Sequence, residues 1–192
     1  MEPITISFRH VEGFTDDEFY YFCQDNPDLT FERDAEGQLI LMPNTGGTTG
    51  VRNSELNFQL NLWNRQDRTG VVFDSSTTFR LPNTAMRSPD AAWVSRERWE
   101  VLTEKEQQQF PPLCPDFVVE LRSQTDSLKN LKQKMEEWLT NGCRLGWLID
   151  PKERVVYLYR PDQPTEEVPF DHSPLRGEPV LPGFELDLNA LA

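Results

Sequence analysis

Asp90 and Glu120 are the residues of this chain best placed to do chemistry. Asp90 sits in Ser88-Pro89-Asp90-Ala91-Ala92-Trp93-Val94, and Glu120 in Pro115-Asp116-Phe117-Val118-Val119-Glu120-Leu121-Arg122-Ser123. Each lies in or beside a short apolar run of the kind that forms a buried strand. A carboxylate there is costly to bury unless it is paired, hydrogen-bonded or bound to a metal. Two acids converging from adjacent strands make an oxygen-ligand site for Mg²⁺ or Mn²⁺, and such an ion can activate water for phosphodiester hydrolysis. The plainer alternatives are that Asp90 ends a turn after Pro89 and that Glu120 forms a structural salt bridge with Arg122 or Lys134.

The elements that must position these acids can be read from periodicity. Phe117 to Leu121 reads as a buried strand. Leu128, Leu131, Met135, Trp138 and Leu139 form one stripe of a helix from about 128 to 140, capped by Asp126 or Ser127 and stopped by Asn141-Gly142. Lys132 and Lys134 flank that stripe on opposite sides. Arg144 to Asp150 and Arg154 to Arg160 read as a strand and its hairpin partner. The strand–helix–strand order from Phe117 to Ile149 implies a crossover between parallel strands.

Earlier in the chain, Asp16 to Cys23 reads as a short helix with acids in its first turn. Thr30 to Arg33 and Gln38 to Met42 flank Ala35-Glu36-Gly37 as a β-hairpin. Pro43 to Gly50 reads as a loop. It is glycine-rich but lacks the Lys-Ser/Thr ending of a nucleotide-binding loop. A helix is expected from about 51 to 65. At about 100° per residue, Val51, Leu56, Phe58, Leu60, Leu62 and Trp63 fill a broad apolar arc, and Glu55 falls inside it. Glu55 is therefore a candidate third carboxylate facing the site; a structural pair or a solvent-reaching edge position is the alternative. Further strands are expected at Gly70 to Asp74, Thr77 to Leu81 and Ala91 to Val94. A short helix capped by Ser95 follows, then a polar helical or loop stretch from Thr103 to Phe110. Trp63, Trp93, Trp138 and Trp147 read as core.

Composition bounds the function. A chain of 192 residues with 37 % apolar and 27 % charged residues suits one soluble domain, at most with a small appendage. It has no run of about 18 apolar residues, so no transmembrane helix is expected. Met1 to Ile6 lacks the basic and apolar regions of a signal peptide. Cys23, Cys114 and Cys143 are few, odd in number and without metal spacing, which makes a reducing, cytoplasmic compartment the expectation. The net charge of −13, from 19 Lys and Arg against 32 Asp and Glu, opposes tight, sequence-tolerant DNA binding. A weak or partner-assisted DNA contact is compatible with it. His10 and His172 lie in polar, terminal stretches, and no base supports a Ser or Cys nucleophile.

The chain resembles the Uma2 family of endonucleases, of cyanobacterial type, within the PD-(D/E)XK nuclease superfamily. The resemblance spans nearly the whole sequence. It is carried by Asp17-Glu18-Phe19 with the Phe31 to Met42 hairpin, by Gly50-Val51-Arg52-Asn53-Ser54-Glu55, and by the segments around Asp90 and Glu120. It continues in Lys134-Met135-Glu136-Glu137-Trp138, Gly146-Trp147-Leu148-Ile149-Asp150-Pro151 and Val180-Leu181-Pro182-Gly183-Phe184. It implies an α/β (α+β) fold with a restriction-endonuclease-like core, a mixed β-sheet flanked by helices. The expected layout is one domain over 1–192, with a helix and hairpin in 1–45, the nuclease core in 46–160 and a strand-and-turn extension in 161–192.

The resemblance also implies a function: a Mg²⁺- or Mn²⁺-dependent endonuclease acting on DNA. Asp90 and Glu120 would be the superfamily acids, and Glu55 matches the acid often carried by the first core helix; these three are the candidate metal ligands. The pattern departs at one place. The superfamily expects Lys two residues after Glu120, where this chain has Arg122. Arg can polarise a phosphate but does not give up a proton. A Lys moved to the next helix could replace it, and Lys134 matches the family position better than Lys132. The catalytic candidates are thus Asp90, Glu120, Lys134, Arg122 and Glu55. A homodimer is expected, because cutting both strands usually takes two sites. The competing reading is a catalytically retired nuclease fold that serves as a binding module. RNA or branched DNA stays open as a substrate.

Overall fold

Strands buried on both faces need near-continuous apolar runs, and the centre of this chain is built from them. The computed structural model describes residues 3–8 and 13–192. In chain order the elements are β1 (Ile4–Ile6), α1 (Asp16–Asp25), β2 (Thr30–Arg33), β3 (Leu39–Met42), α2 (Gly47–Asp67), β4 (Gly70–Asp74), β5 (Phe79–Arg80), β6 (Met86–Arg87) and β7 (Ala91–Ser95). Then come α3 (Arg96–Glu100), α4 (Glu104–Gln108), β8 (Phe117–Leu121), α5 (Leu128–Thr140), β9 (Leu145–Asp150), β10 (Val155–Tyr159), β11 (Glu166–Pro169), β12 (Leu175–Arg176) and β13 (Glu185–Leu186).

The main sheet runs β11-β10-β9-β8-β7-β4. β8 and β9 are parallel and joined through α5, as the crossover pattern predicts; the other pairings are antiparallel. Helices cover both faces. Leu56 and Leu60 of α2 pack with Phe117, Val119, Trp147 and Ile149, together with Phe184 and Leu188 of the C-terminal tail. Met135 and Trp138 of α5 pack on the other face with Ala92, Val94, Val118 and Leu148. Each of those two α5 side chains is fully buried and contributes about 2–3 kcal/mol on apolar area. Gly146 permits this approach, since a Cβ there would lie 2.4 Å from Met135 Cε. Side chains alternate across a strand, so Val118 and Glu120 both point toward α5.

A second sheet, β1-β3-β2-β6-β5, packs Phe31, Leu39 and Met86 against Phe19 of α1. Thr15 closes α1 with a reciprocal capping box to Glu18. The chain leaves this sheet at Arg87 and enters the main one at Ala91. Ser88, Pro89 and Asp90 are therefore the joint between the sheets.

The structure corrects several expectations. The helix expected from 51 begins at Gly47, inside the stretch read as a loop. The first N–H groups of a helix need no partner within it, and Gly46 serves as N-cap, so glycines are tolerated there. The broad apolar arc of that helix is also narrower than expected. Val51, Phe58 and Leu62 are 69 %, 60 % and 48 % exposed, and only Leu56 and Leu60 are fully buried. Thr77 to Leu81 shrinks to β5 and joins the second sheet. Ser95 makes no side-chain cap; its N–H donates instead to Asp116. In the tail, β11 extends the main sheet and Phe184, Leu186 and Leu188 enter its core.

Candidate active site

Asp90 is pinned from two sides. Its N–H donates to the Val119 carbonyl at 3.0 Å. Its Oδ2 accepts from the Leu121 N–H at 2.7 Å, and its Oδ1 from Asn53 Nδ2 at 2.9 Å. Asn57 donates to the Asp90 carbonyl at 3.1 Å. The acid at the joint between the sheets is thereby fixed to both β8 and α2. Burial raises its pKa; the Leu121 N–H, Lys134 and Asn53 oppose that without reversing it.

Glu120 is 4 % exposed. Its Oε1 takes both Trp138 Nε1 at 2.9 Å and the Lys134 ammonium at 3.0 Å. No hydrogen bond to its Oε2 occurs among the described residues. Burial pushes its pKa up to about 7; Lys134 opposes this, while Asp90 and Glu32 add to it. The charge of Asp90 thus reaches Glu120, and both line one cleft of about 1190 Å³.

Lys134 leaves the edge of α5 and donates to Glu32 Oε1 at 2.8 Å and to the Ser88 carbonyl at 2.9 Å; its ammonium also lies 3.0 Å from Glu120 Oε1 as an ion pair. Burial draws its pKa down, but Glu120 and Glu32 outweigh burial and the net shift is upward. The ammonium therefore stays charged.

Glu32 on β2 is a neighbour of the candidate site that the sequence did not reveal. It is 2 % exposed. Its Oε1 also accepts from the Ser88 N–H at 3.0 Å, and its Oε2 pairs with Arg87 at 3.0 Å. Arg87 in turn binds Glu137 of α5 at 2.6 Å. Burial works against the ionised Glu32, yet Lys134 and Arg87 hold its pKa below the ordinary range. A chain of alternating charge, Glu137–Arg87–Glu32–Lys134–Glu120, ties the hairpin to α5. The available signal was alternation: Glu32 faces away from its strand neighbour Phe31, so it had to meet something other than the α1 core.

The chain matches a family model described as "Putative restriction endonuclease", Uma2, over residues 16–189. It belongs to the Uma2 family. A search of curated proteins finds no match. Among solved structures, the chain is similar to the "putative nuclease belonging to DUF820" from Anabaena variabilis, with 24 % identity and a TM-score of 0.76, over 93 % of this chain and 97 % of that one. That likeness shows the same fold. A weaker similarity, TM-score 0.38 and 17 % identity, covers 62 % of this chain and 10 % of a chain in the DrdV–DNA complex.

In this Uma2 chain the two basic candidates separate cleanly. Arg122 does not line the cleft. Its Nη1 binds Asp150 Oδ2 at 2.6 Å and its Nε the Asp126 carbonyl at 3.3 Å. Asp150 is fully buried and needs a cation there, so the Arg two residues after Glu120 serves β9. Glu55 does not join the acid pair, contrary to the expectation of an inward-facing third acid. Asn53 and Asn57 occupy the α2 face toward Asp90, and Glu55 lies across the helix from them. It accepts from Gln59 at 3.0 Å, and the Gln59 side chain in turn accepts the Asp187 N–H at 2.8 Å. Lys132 is directed to the Tyr157 ring, 3.8 Å from its centroid. His172 is exposed in the tail, and His10 lies outside the described residues.

Among the described residues no three His, Cys, Asp or Glu side chains gather as a metal cluster. The donors that face the cleft nevertheless fit a hard divalent ion: two carboxylates, one of them with an oxygen accepting no hydrogen bond, and no sulfur or imidazole. Six acids line the cleft (Glu32, Glu36, Asp90, Glu120, Asp126 and Glu137) against Arg52, Arg87 and Lys134. That surplus of negative charge attracts a cation and repels an unassisted phosphate. No described helix is long and apolar enough to cross a membrane.

Proposed function

We propose that this Uma2 chain is a divalent-metal-dependent endonuclease that hydrolyses DNA phosphodiester bonds in the cleft, with residues 1–192 acting as one unit. The observation that carries this is the meeting of Asp90, Glu120 and Lys134 in one cleft, although they come from a sheet joint, a strand and a helix. Asp90 and Glu120 would hold Mg²⁺ or Mn²⁺, Glu120 through its uncommitted Oε2. The ion would supply a Lewis acid at the scissile phosphate.

The other steps fall to the chain. Asn53 and the Leu121 N–H fix the Asp90 carboxylate in one orientation. Trp138 and Lys134 take one oxygen of Glu120 and leave the other directed elsewhere. Glu32 and the Ser88 carbonyl hold the Lys134 ammonium beside the site. Its charge would stabilise the phosphate's developing negative charge, while its raised pKa argues against a proton-donating role. Two copies would be needed to cut both strands from one site each. The unpaired Cys23, Cys114 and Cys143 support a reducing, cytoplasmic setting.

A second reading, a retired nuclease that only binds, is favoured by the engagement of Lys134 with Glu32, the Ser88 carbonyl and Glu120 and by Arg122 at the motif position. Supercoiled plasmid incubated with the purified protein distinguishes the two. Nicking with Mg²⁺ or Mn²⁺, absent with chelator and in Asp90→Asn, supports the enzyme. DNA binding without nicking under every divalent ion supports the retired module, and cleavage of RNA alone would reassign the substrate.

A further inference from the structure

Charge accounting in the cleft leaves one cation over. Of the three that line it, Lys134 is engaged with Glu32 and Glu120, and Arg87 with Glu32 and Glu137. Arg52, in the second turn of α2, forms no ion pair among the described residues, and its Nε is buried without a hydrogen-bond partner. A desolvated guanidinium donor without an acceptor is uncommon in a native fold. Nε itself is out of a ligand's reach, but the side chain is only half-buried at the cleft wall, and its terminal nitrogens, paired with no described residue, can take an acceptor that arrives with a ligand.

The wall beside Arg52 points the same way. α2 opens at Gly46 with no side-chain cap and no acid in its first turn. Its first N–H groups therefore keep their partial positive charge. Gly46, Gly47, Thr48 and Thr49 line the cleft, and a Cβ on either glycine would meet nothing within 4 Å. The backbone there is open to an incoming group. The stretch lacks the lysine of a nucleotide-binding loop, but Arg52 brings a fork of donors suited to a phosphodiester.

We propose that Arg52 is the substrate-binding cation of this cleft. It grips a DNA backbone phosphate other than the scissile one, with the opening turn of α2 as a second set of donors. The assignment rests on the nuclease reading above and adds to it a group that positions the strand. It also accounts for how an acidic protein could hold DNA: a metal ion at Asp90 and Glu120 covers one phosphate, and Arg52 covers a neighbour.

The test is binding rather than cleavage. A short fluorescent DNA duplex is titrated by anisotropy, in Ca²⁺ to limit hydrolysis and across a salt series, with wild type, Arg52→Gln, Arg52→Lys and Arg65→Ala. Arg65 is exposed near the far end of the same helix. Arg52→Gln should weaken binding about tenfold and reduce the salt slope by about one, while Arg52→Lys keeps the slope. Arg65→Ala should change neither. No ion pair is broken in Arg52→Gln, so its melting temperature should match wild type, and Mn²⁺ binding by the two proteins should be equal. Wild-type affinity and slope in Arg52→Gln would overturn the proposal alone, as would an equal loss in Arg65→Ala. A wild type that binds no DNA at any salt would overturn this proposal and the nuclease reading together.

Discussion

Strand β8 carries a buried acid beside each of its ends, and the two are treated differently. Asp116, immediately before the strand, is 1 % exposed; Glu120, within it, is 4 % exposed. Asp116 accepts the Ser95 N–H at 2.9 Å and pairs with Arg98 at 3.0 Å and Arg144 at 3.6 Å, so both oxygens are occupied. Its partners come from outside the cleft, and it locks the start of α3 to the loop before β9. Glu120 has one oxygen doubly occupied, the other uncommitted, and a pKa pushed to about 7 by burial. A buried acid that is fully satisfied is a fastener. One left partly unsatisfied above an open cleft is available for work, at a cost in stability when ionised.

The largest separation between the two should be functional. Glu120→Gln should lower metal-dependent cleavage by about 10³-fold or more without lowering the melting temperature at pH 8, since a strained charge is removed. Asp116→Asn should do the reverse: stability falls by about 2 kcal/mol, and the specific activity of the folded fraction stays within a few-fold of wild type. Equal activity losses in the two variants would erase the distinction.

The basic residues repeat that contrast. Arg122→Ala strands the fully buried Asp150 and should cost about 3 kcal/mol, with activity surviving in the folded protein. Lys134→Ala should abolish cleavage. Denaturant melts and plasmid nicking on both variants check this. Activity that appears only in Arg122→Lys would transfer the argument to the retired-module reading.

pH sharpens the comparison at smaller amplitude. The folded state holds a proton on Glu120 more tightly than the unfolded chain does, so stability from this group falls as pH rises from about 4.5 through about 7. Glu32 has the opposite sign. Its pKa is depressed, so its contribution is present above the ordinary Glu range and is lost as pH falls through its folded value. In metal-free protein the melting temperature should drop by about 5 °C between pH 5 and pH 8. Mg²⁺ should restore it at pH 8, and Glu120→Gln should flatten the slope. A slope unchanged in Glu120→Gln would mean that Glu120 is not the group involved.

The smallest effect is expected at Glu55. Glu55→Gln should change stability by less than about 0.5 kcal/mol and cleavage by less than about threefold. A collapse of cleavage would return this acid to the metal site.

Much of the candidate site is legible in the sequence because it is local. Asp90 and Glu120 stand out as acids in apolar strands, and the stripe of α5 places Lys134 at its edge. What sequence could not supply was the pairing of distant elements. Glu32 reaches Lys134 across 102 positions, through a sheet whose order no periodicity encodes. Arg122 looked like the motif cation because spacing along a strand is visible, whereas its partner Asp150 sits on the neighbouring strand. The inward position expected for Glu55 depends on Val51, Phe58 and Leu62 belonging to the core, and they do not. Their exposure rotates the buried face of α2 toward Leu56 and Leu60 and leaves Glu55 beside the tail. The opening of α2 at Gly47 was hidden by glycines that disfavour a helix interior but not its first turn.

On the proposed function, Glu120 with Asp90 is the acid kept for a metal, and Asp116 is not. A crystal soaked in Mn²⁺ and measured at the manganese edge tests this most directly. One anomalous peak is expected in the cleft, within about 2.0–2.6 Å of an Asp90 oxygen and of Glu120 Oε2, and it should be lost in Glu120→Gln. No peak there at saturating Mn²⁺, or a peak at Asp116 instead, would contradict it.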